Sequence, residues 1–503
     1  MTGAAANAGP TPGPSPGQQS GSRSSAGGAS TSRPSAAGAA GPLGSADGAW
    51  TGPAGFTAAY AQRAAVVPKS GLTRLRRLLD LLGQPQRAFP SIVVTGSVGK
   101  SSTVAAIIAL LDGFGIRAGS LRAPTWLGPA AQISVAGGEI PADALGRAYD
   151  DIAPYLPLVE DDGPLGATEL LVAVAVAAFA DAPVDLVVVE SGGNALGGFG
   201  DLADLLDAPV TAVTPVATSW SGQDWPEDLD GLPATADAPV DTAADVTSVG
   251  TAIRADTLIV LAQQSLPAAR ALLGQAALAG ATVAREGMEF GVLSRRVAVG
   301  GQMITLKGLG GTYEELFLPL HGAHQAHDAA VALAAVEAFL GGGQNQLDLD
   351  VVRVGLAAVD GRGRLEVVRR SPTIILDVAD SPLAVTAVVQ ALREAFTFDS
   401  LVGVVAVDGD EALAARILAV LEPALAAVVV TSAATPAALP VDDLAAVAAG
   451  VFGAERVEVT PRLDDALDDA VRLAEQESEL GGAGVLVTGS APVVGRARAL
   501  LRS

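Results

Sequence analysis

Val93-Val94-Thr95-Gly96-Ser97-Val98-Gly99-Lys100-Ser101-Ser102-Thr103 runs from β-branched residues through two glycines into Val104-Ala105-Ala106-Ile107-Ile108-Ala109-Leu110-Leu111. That order predicts a strand, a tight loop and a helix in succession. Backbone N–H groups at the start of such a helix point at anionic oxygens. Lys100 adds a positive charge, and Ser101 offers a hydroxyl suited to Mg²⁺. The loop is a phosphate cradle by this reading. It is shorter than the general G-x-x-x-x-G-K-[ST] spacing, so a glycine-rich turn without a ligand fits the bare pattern too.

The surrounding chain bounds what such a cradle serves. Its 503 residues, 50% hydrophobic, leave room for two or three domains with real cores. Fifty-four acidic residues against 31 lysines and arginines give a net charge of -23, which argues against a nucleic-acid or anionic-membrane partner. With no cysteine, disulfides, thiolate metal sites and a cysteine nucleophile are excluded. No basic segment followed by an apolar core opens the chain, and the apolar run from Leu170 to Ala180 is too short to cross a bilayer. A cytoplasmic protein is expected.

Residues 1–50 are a Gly/Ala/Ser/Pro tail with too little apolar surface to order itself. The spacing of Leu72, Leu75, Leu78, Leu79, Leu81 and Leu82 predicts an amphipathic helix. Val184 to Glu190 reads as a buried parallel strand with a carboxylate at its end. Another short strand is expected between Pro209 and Pro215. Ligands of open α/β sheets gather at the carboxyl ends of strands, so Glu190 and the loop after Pro215 should face the cradle. Ser221 to Val249 reads as an acidic surface excursion. Strand pieces follow at Val297 to Lys307 and Leu316 to Leu320, then a helix from His324 to Leu340 stopped by Gly341-Gly342-Gly343-Gln344. After a break at Asp360-Gly361-Arg362-Gly363-Arg364, strands and helices alternate to the end, as in a Rossmann-like domain. The division expected is a P-loop ATP-binding domain over 51–361 and a smaller Rossmann-like domain over 362–503.

These landmarks together resemble the dihydrofolate synthase/folylpolyglutamate synthase family of the Mur ligase superfamily. The resemblance rests on the Thr95 to Ser101 loop, Val189-Glu190, Gly197-Gly198-Phe199-Gly200-Asp201, Leu318 to Asp328, Gly363-Arg364-Leu365-Glu366 and Ile374-Ile375-Leu376-Asp377. It implies an α/β fold with a Mur-ligase-type ATPase domain and a cleft against the smaller domain. It also implies transfer of the ATP γ-phosphate to a folate or pteroate carboxylate, followed by attack of the glutamate amine. The residues it assigns to nucleotide are Gly96, Ser97, Gly99, Lys100, Ser101, Ser102, His324, Gln325, Arg364 and Asp377. Ser101 and Glu190 would take Mg²⁺, Lys100 and Arg364 would act in catalysis, and a monomer is expected by analogy.

The chain departs from the family pattern at several polar positions. Trp220 stands where the pattern has a metal-binding His, and no lysine lies between Lys100 and Lys307. Asp380-Ser381 replaces the His-Asn of Asp-x-Ala-His-Asn-Pro, Ala123-Pro124-Thr125 replaces Ser-Pro-His, and Ala131-Gln132 replaces Glu-Arg. Val98, Phe199, Arg362 and Asp328 stand in place of Asn, Arg, Pro and Asn. Two functions therefore stay open: an ATP-dependent ligase, or a catalytically degenerate paralogue that binds nucleotide at most and acts through protein partners. Single residues carry alternatives as well. Glu190 also reads as a capped strand-end carboxylate, Asp201 as a turn residue, and Arg364 as a hinge ion pair with Glu366 or a neighbouring acid. Asp380 reads as a solvated or N-capping acid for the helix at Pro382. His321, His324 and His327, at intervals of three, drift off one helical face and do not predict zinc.

Overall fold

The computed structural model describes residues 52–502 except 64–65, 67–71, 123–127, 162, 192–201, 217–248, 434, 436 and 479–481. The expected tail, the Ala123 to Thr125 loop, the Gly197 to Asp201 motif, Trp220 and nearly all of the Ser221 to Val249 segment lie outside the described residues.

Short apolar runs build the first sheet: β1 (Ser91–Thr95), β2 (Ala118–Leu121), β3 (Ile133–Val135), β4 (Gly138–Glu139), β5 (Leu186–Glu190), β6 (Val210–Val213), β7 (Leu258–Leu261) and β8 (Thr282–Arg285). Their order is β4-β3-β2-β5-β1-β6-β7-β8, parallel from β2 to β8, with β3 and β4 antiparallel at the edge. Side chains alternate across a strand, so β1 feeds two cores. Val93 joins Val187, Val189 and the helix Ala167–Asp181 on one face. Ile92 and Val94 join Val188 and the helices Lys100–Gly113 and Ala323–Gly341 on the other. Gly119 in β2 permits close packing: a Cβ there would lie 2.8 Å from the Phe179 ring.

An antiparallel meander follows, β9 (Gly291–Ala298), β10 (Gly301–Lys307) and β11 (Thr312–Leu318). The single piece expected from Val297 to Lys307 is two strands, because Gly300 at φ +77° turns the chain inside it.

The second sheet holds β12 (Glu366–Arg370), β13 (Thr373–Asp377), β14 (Ser400–Ala406), β15 (Ala427–Val430), β16 (Val457–Val459) and β17 (Ala483–Gly489). Its order is β12-β13-β17-β14-β15-β16, parallel apart from the edge strand β12. Helices cover both faces, including Pro382–Ala395 and Leu463–Glu477. Among the described residues no helix is long and apolar enough to cross a membrane.

Candidate functional site

The expected loop leaves β1 between β5 and β6, and its backbone is shaped for close approach. Gly96 has φ +136°, and a Cβ there would fall 2.2 Å from Thr214 Oγ1. Gly99, at φ +79°, is the N-cap of the helix Lys100–Gly113, and its Cβ would fall 2.4 Å from Asp328 Oδ1. The N–H groups of Ser97 and Val98 donate to Pro215 O at 3.0 and 3.3 Å, which docks the loop on the end of β6 as the sequence suggested. The amides of Lys100, Ser101 and Ser102 precede the first internal bond of the helix, from Thr103 N–H to Gly99 O at 2.9 Å. They are the helix-start donors suited to an anion.

Lys100 folds back over the loop, donating from Nζ to Gly96 O and Ser97 O at 2.9 Å each. Pairing of β1 with β5 sets Val94 beside Glu190. The Glu190 carboxylate, 8% exposed, accepts from Ser101 Oγ at 2.9 and 3.1 Å. A hydroxyl and a carboxylate this close are hard oxygen donors. They fit a Mg²⁺ ion that takes its remaining ligands from water and phosphate. No cluster of three or more His, Cys, Asp or Glu side chains suited to a metal occurs among the described residues.

Arg364 reaches this helix from the far side of the cleft. Its Nε donates to Ser102 Oγ at 3.0 Å, and Nη1 donates to Asp360 O and Arg362 O, each at 3.3 Å. The alternative hinge ion pair with Glu366 is not formed. Glu366 instead accepts from Arg498 and Arg502 on the last helix, Ala491–Arg502, and from Gly363 N–H. Burial lowers the Arg364 pKa, and the fields of Asp360, Glu190, Asp377 and Asp328 oppose that shift.

Asp377, at the end of β13, is 6% exposed and accepts the Leu365 N–H at 2.8 Å. It pins the main chain just after Arg364, and Leu365 there has φ +48°. Burial pushes its carboxyl up to about 7. The N-cap of the helix Pro382–Ala395 is Ser381, whose Oγ accepts from Ala384 N–H at 3.3 Å, so Asp380 is not the capping acid. Asp380 itself is exposed, as a solvated acid would be, and the charge of Lys100 opposes the rise that desolvation gives its pKa.

His324 and Gln325 open the helix Ala323–Gly341. Burial pushes His324 down to about 4, which keeps the ring neutral. Gln325 is 6% exposed, and its Oε1 is a buried acceptor with no partner among the described residues. One turn on, Asp328 lies against Gly99, and burial pushes its carboxyl up to about 8. The sequence registered Asp328 only as a departure from a pattern. The structure makes it part of the loop's wall.

Comparison with known proteins identifies the family. Residues 363–491 match the family described as Mur ligase, glutamate ligase domain. The chain is 40% identical over 447 residues to a dihydrofolate synthase/folylpolyglutamate synthase of Mycobacterium tuberculosis, covering 85% of this chain and 89% of that one. A folylpolyglutamate synthase of Lacticaseibacillus casei is 26% identical over 372 residues, 73% of this chain and 82% of that one. Among solved structures, that of M. tuberculosis folylpolyglutamate synthase complexed with ADP and AMPPCP superposes with a TM-score of 0.79 at 38% identity, over 89% of this chain and 99% of the other.

Proposed function

The chain belongs to the dihydrofolate synthase/folylpolyglutamate synthase family, and from that premise we propose that its cleft binds ATP and joins glutamate to a folate or pteroate carboxylate. The observation that carries the reading is the convergence of Lys100, Ser101, Glu190 and Arg364 on one helix start.

In the reaction a carboxylate oxygen of the acceptor attacks the γ-phosphorus. The bond from that phosphorus to the ADP oxygen breaks, leaving an acyl phosphate. The glutamate amine nitrogen then attacks the acyl carbon, loses a proton and expels inorganic phosphate. Lys100 exchanges its two loop carbonyls for phosphate oxygens, and the helix-start amides bind the same chain of phosphates. Gly96, Ser97 and Gly99 let the backbone come close. Mg²⁺, held by Ser101 and Glu190, supplies charge neutralisation on the phosphates when bound. Arg364 turns from Ser102 to the phosphates, its planar fork matched to them. His324, Gln325 and Asp377 line the nucleoside side.

The alternative of a degenerate paralogue draws no support from these relatives. By the same reading the protein is a cytoplasmic monomer. The deciding experiment supplies purified protein with MgATP, glutamate and either dihydropteroate or tetrahydrofolate and measures ADP. Release that requires both glutamate and acceptor, and is lost in Lys100→Ala, is expected. ATP binding without turnover would return the paralogue to favour.

A further inference from the structure

β2 ends at Leu121, and its parallel pairing with β5 places Leu121 beside Val189. Arg122 is therefore level with Glu190 at the carboxyl edge of the first sheet. Its backbone N–H is held by Gln132 O at 2.9 Å, so its main chain is fixed as it leaves the strand. Its side chain lies within the fields of Arg364, Asp360, Glu190 and Arg362.

Arg122 feels two carboxylates, Glu190 and Asp360, and two further guanidiniums, Arg362 and Arg364; Asp377 and Asp328 act on Arg364 but not on Arg122. Asp360 is taken by Arg362 in an ion pair at 2.5 Å, and Glu190 by the Ser101 hydroxyl. Among the described residues the Arg122 guanidinium has no hydrogen bond or ion pair. The Arg122 guanidinium thus stands partly buried at the cleft without a direct partner among the described residues. Desolvation, and then repulsion from Arg364, both disfavour that charge. An anion placed there removes both penalties at once.

The strand order says which anion. The phosphate loop follows β1, Glu190 ends β5 and Arg122 follows β2, and these strands are consecutive neighbours. At roughly 4.8 Å per strand, Arg122 sits about 10 Å from the loop, with the metal-side carboxylate between them. Arg122 is therefore separated from the phosphate loop by the strand that carries Glu190, on a side from which a group attacking a phosphate at Lys100 has room to approach.

We propose that Arg122 binds the carboxylate of the acceptor substrate, holding in a two-pronged grip the group that receives the phosphate. This inference rests on the ligase reading of the cleft.

The test compares wild type with Arg122→Ala and Arg122→Lys. Equilibrium binding of dihydropteroate or tetrahydrofolate in the presence of ADP is measured first, with the affinity for ADP alone measured separately. The expected result is a loss of tenfold or more in acceptor affinity for Arg122→Ala, partial recovery in Arg122→Lys, and ADP affinity within twofold of wild type. Acceptor binding unchanged in Arg122→Ala overturns the inference, as does an equal loss of ADP affinity, which would assign Arg122 to phosphate. Acceptor binding that depends on Arg122 but never leads to turnover overturns the ligase reading alone. A wild type that binds neither acceptor overturns both. Circular dichroism and the melting temperature of each variant separate these outcomes from misfolding, and Arg122→Lys carries the comparison if Arg122→Ala does not fold.

Discussion

Arg364 Nε lies 3.0 Å from Ser102 Oγ, a hydrogen bond between residues 262 positions apart that joins the entry to the second sheet with the phosphate-loop helix. Asp328, on a third segment, lies against Gly99 at the start of the same helix, so three separate segments meet beside the phosphate loop. Nucleotide binding and the position of Arg364 should therefore be linked. Arg364→Ala should weaken ADP binding by about tenfold, the scale of one hydrogen bond to a charged group, and isothermal titration of ADP checks it. Unchanged affinity would confine Arg364 to the hinge.

Lys100 occupies two carbonyls of its own loop at 2.9 Å, so it is oriented before any phosphate arrives. Lys100→Ala should lower ADP release by roughly 10²–10³-fold, the cost of removing one preorganised electrostatic contact. The far-ultraviolet circular dichroism should not change. Steady-state assay at saturating acceptor reads the effect.

Gly99→Ala should damage the cradle by two routes. A side chain at φ +79° costs about 1–2 kcal/mol, and its Cβ would fall 2.4 Å from Asp328 Oδ1. A lower melting temperature together with loss of ADP binding is expected. A variant with wild-type affinity would show that the loop's shape is not set by this residue.

The carboxyl of Asp328 is favoured in its protonated form by burial, its pKa rising from 3.8 to about 8. The proton's contribution to stability is complete below the unfolded value near 3.8 and is lost as pH climbs through about 8. Within that window the loss approaches about 1.4 kcal/mol per pH unit from this group. Asp328→Asn removes the titration, so urea midpoints measured at pH 5 and pH 8 should differ less in the variant than in wild type. Parallel curves would show that Asp328 titrates normally.

Much of this was readable from local sequence. Ile92, Val93 and Val94, or Leu186 to Val189, are short apolar runs bounded by loop residues, and such runs name parallel strands directly. The loop Gly96 to Ser102 carries its own glycines and lysine, so its geometry is local too. Of the two readings open for Asp380, solvated acid or cap, the cap falls to its neighbour Ser381, because adjacent residues of both types can cap a helix. Arg122 and Asp328 sit in no local motif. Only the register of β2 on β5, and the approach of a helix to Gly99, bring them to the cleft.

β17 comes last in sequence among the described strands of its sheet, yet it lies in the middle, paired with β13 on one side and β14 on the other. Until Ala483–Gly489 has been synthesised, both neighbours present open hydrogen-bonding edges, and the second layer cannot close. A chain that stops before Ala483 would thus lose far more than one strand. It would expose two strand edges able to pair with other chains, so premature termination near the end should be recovered as aggregate and not as a shortened, soluble protein.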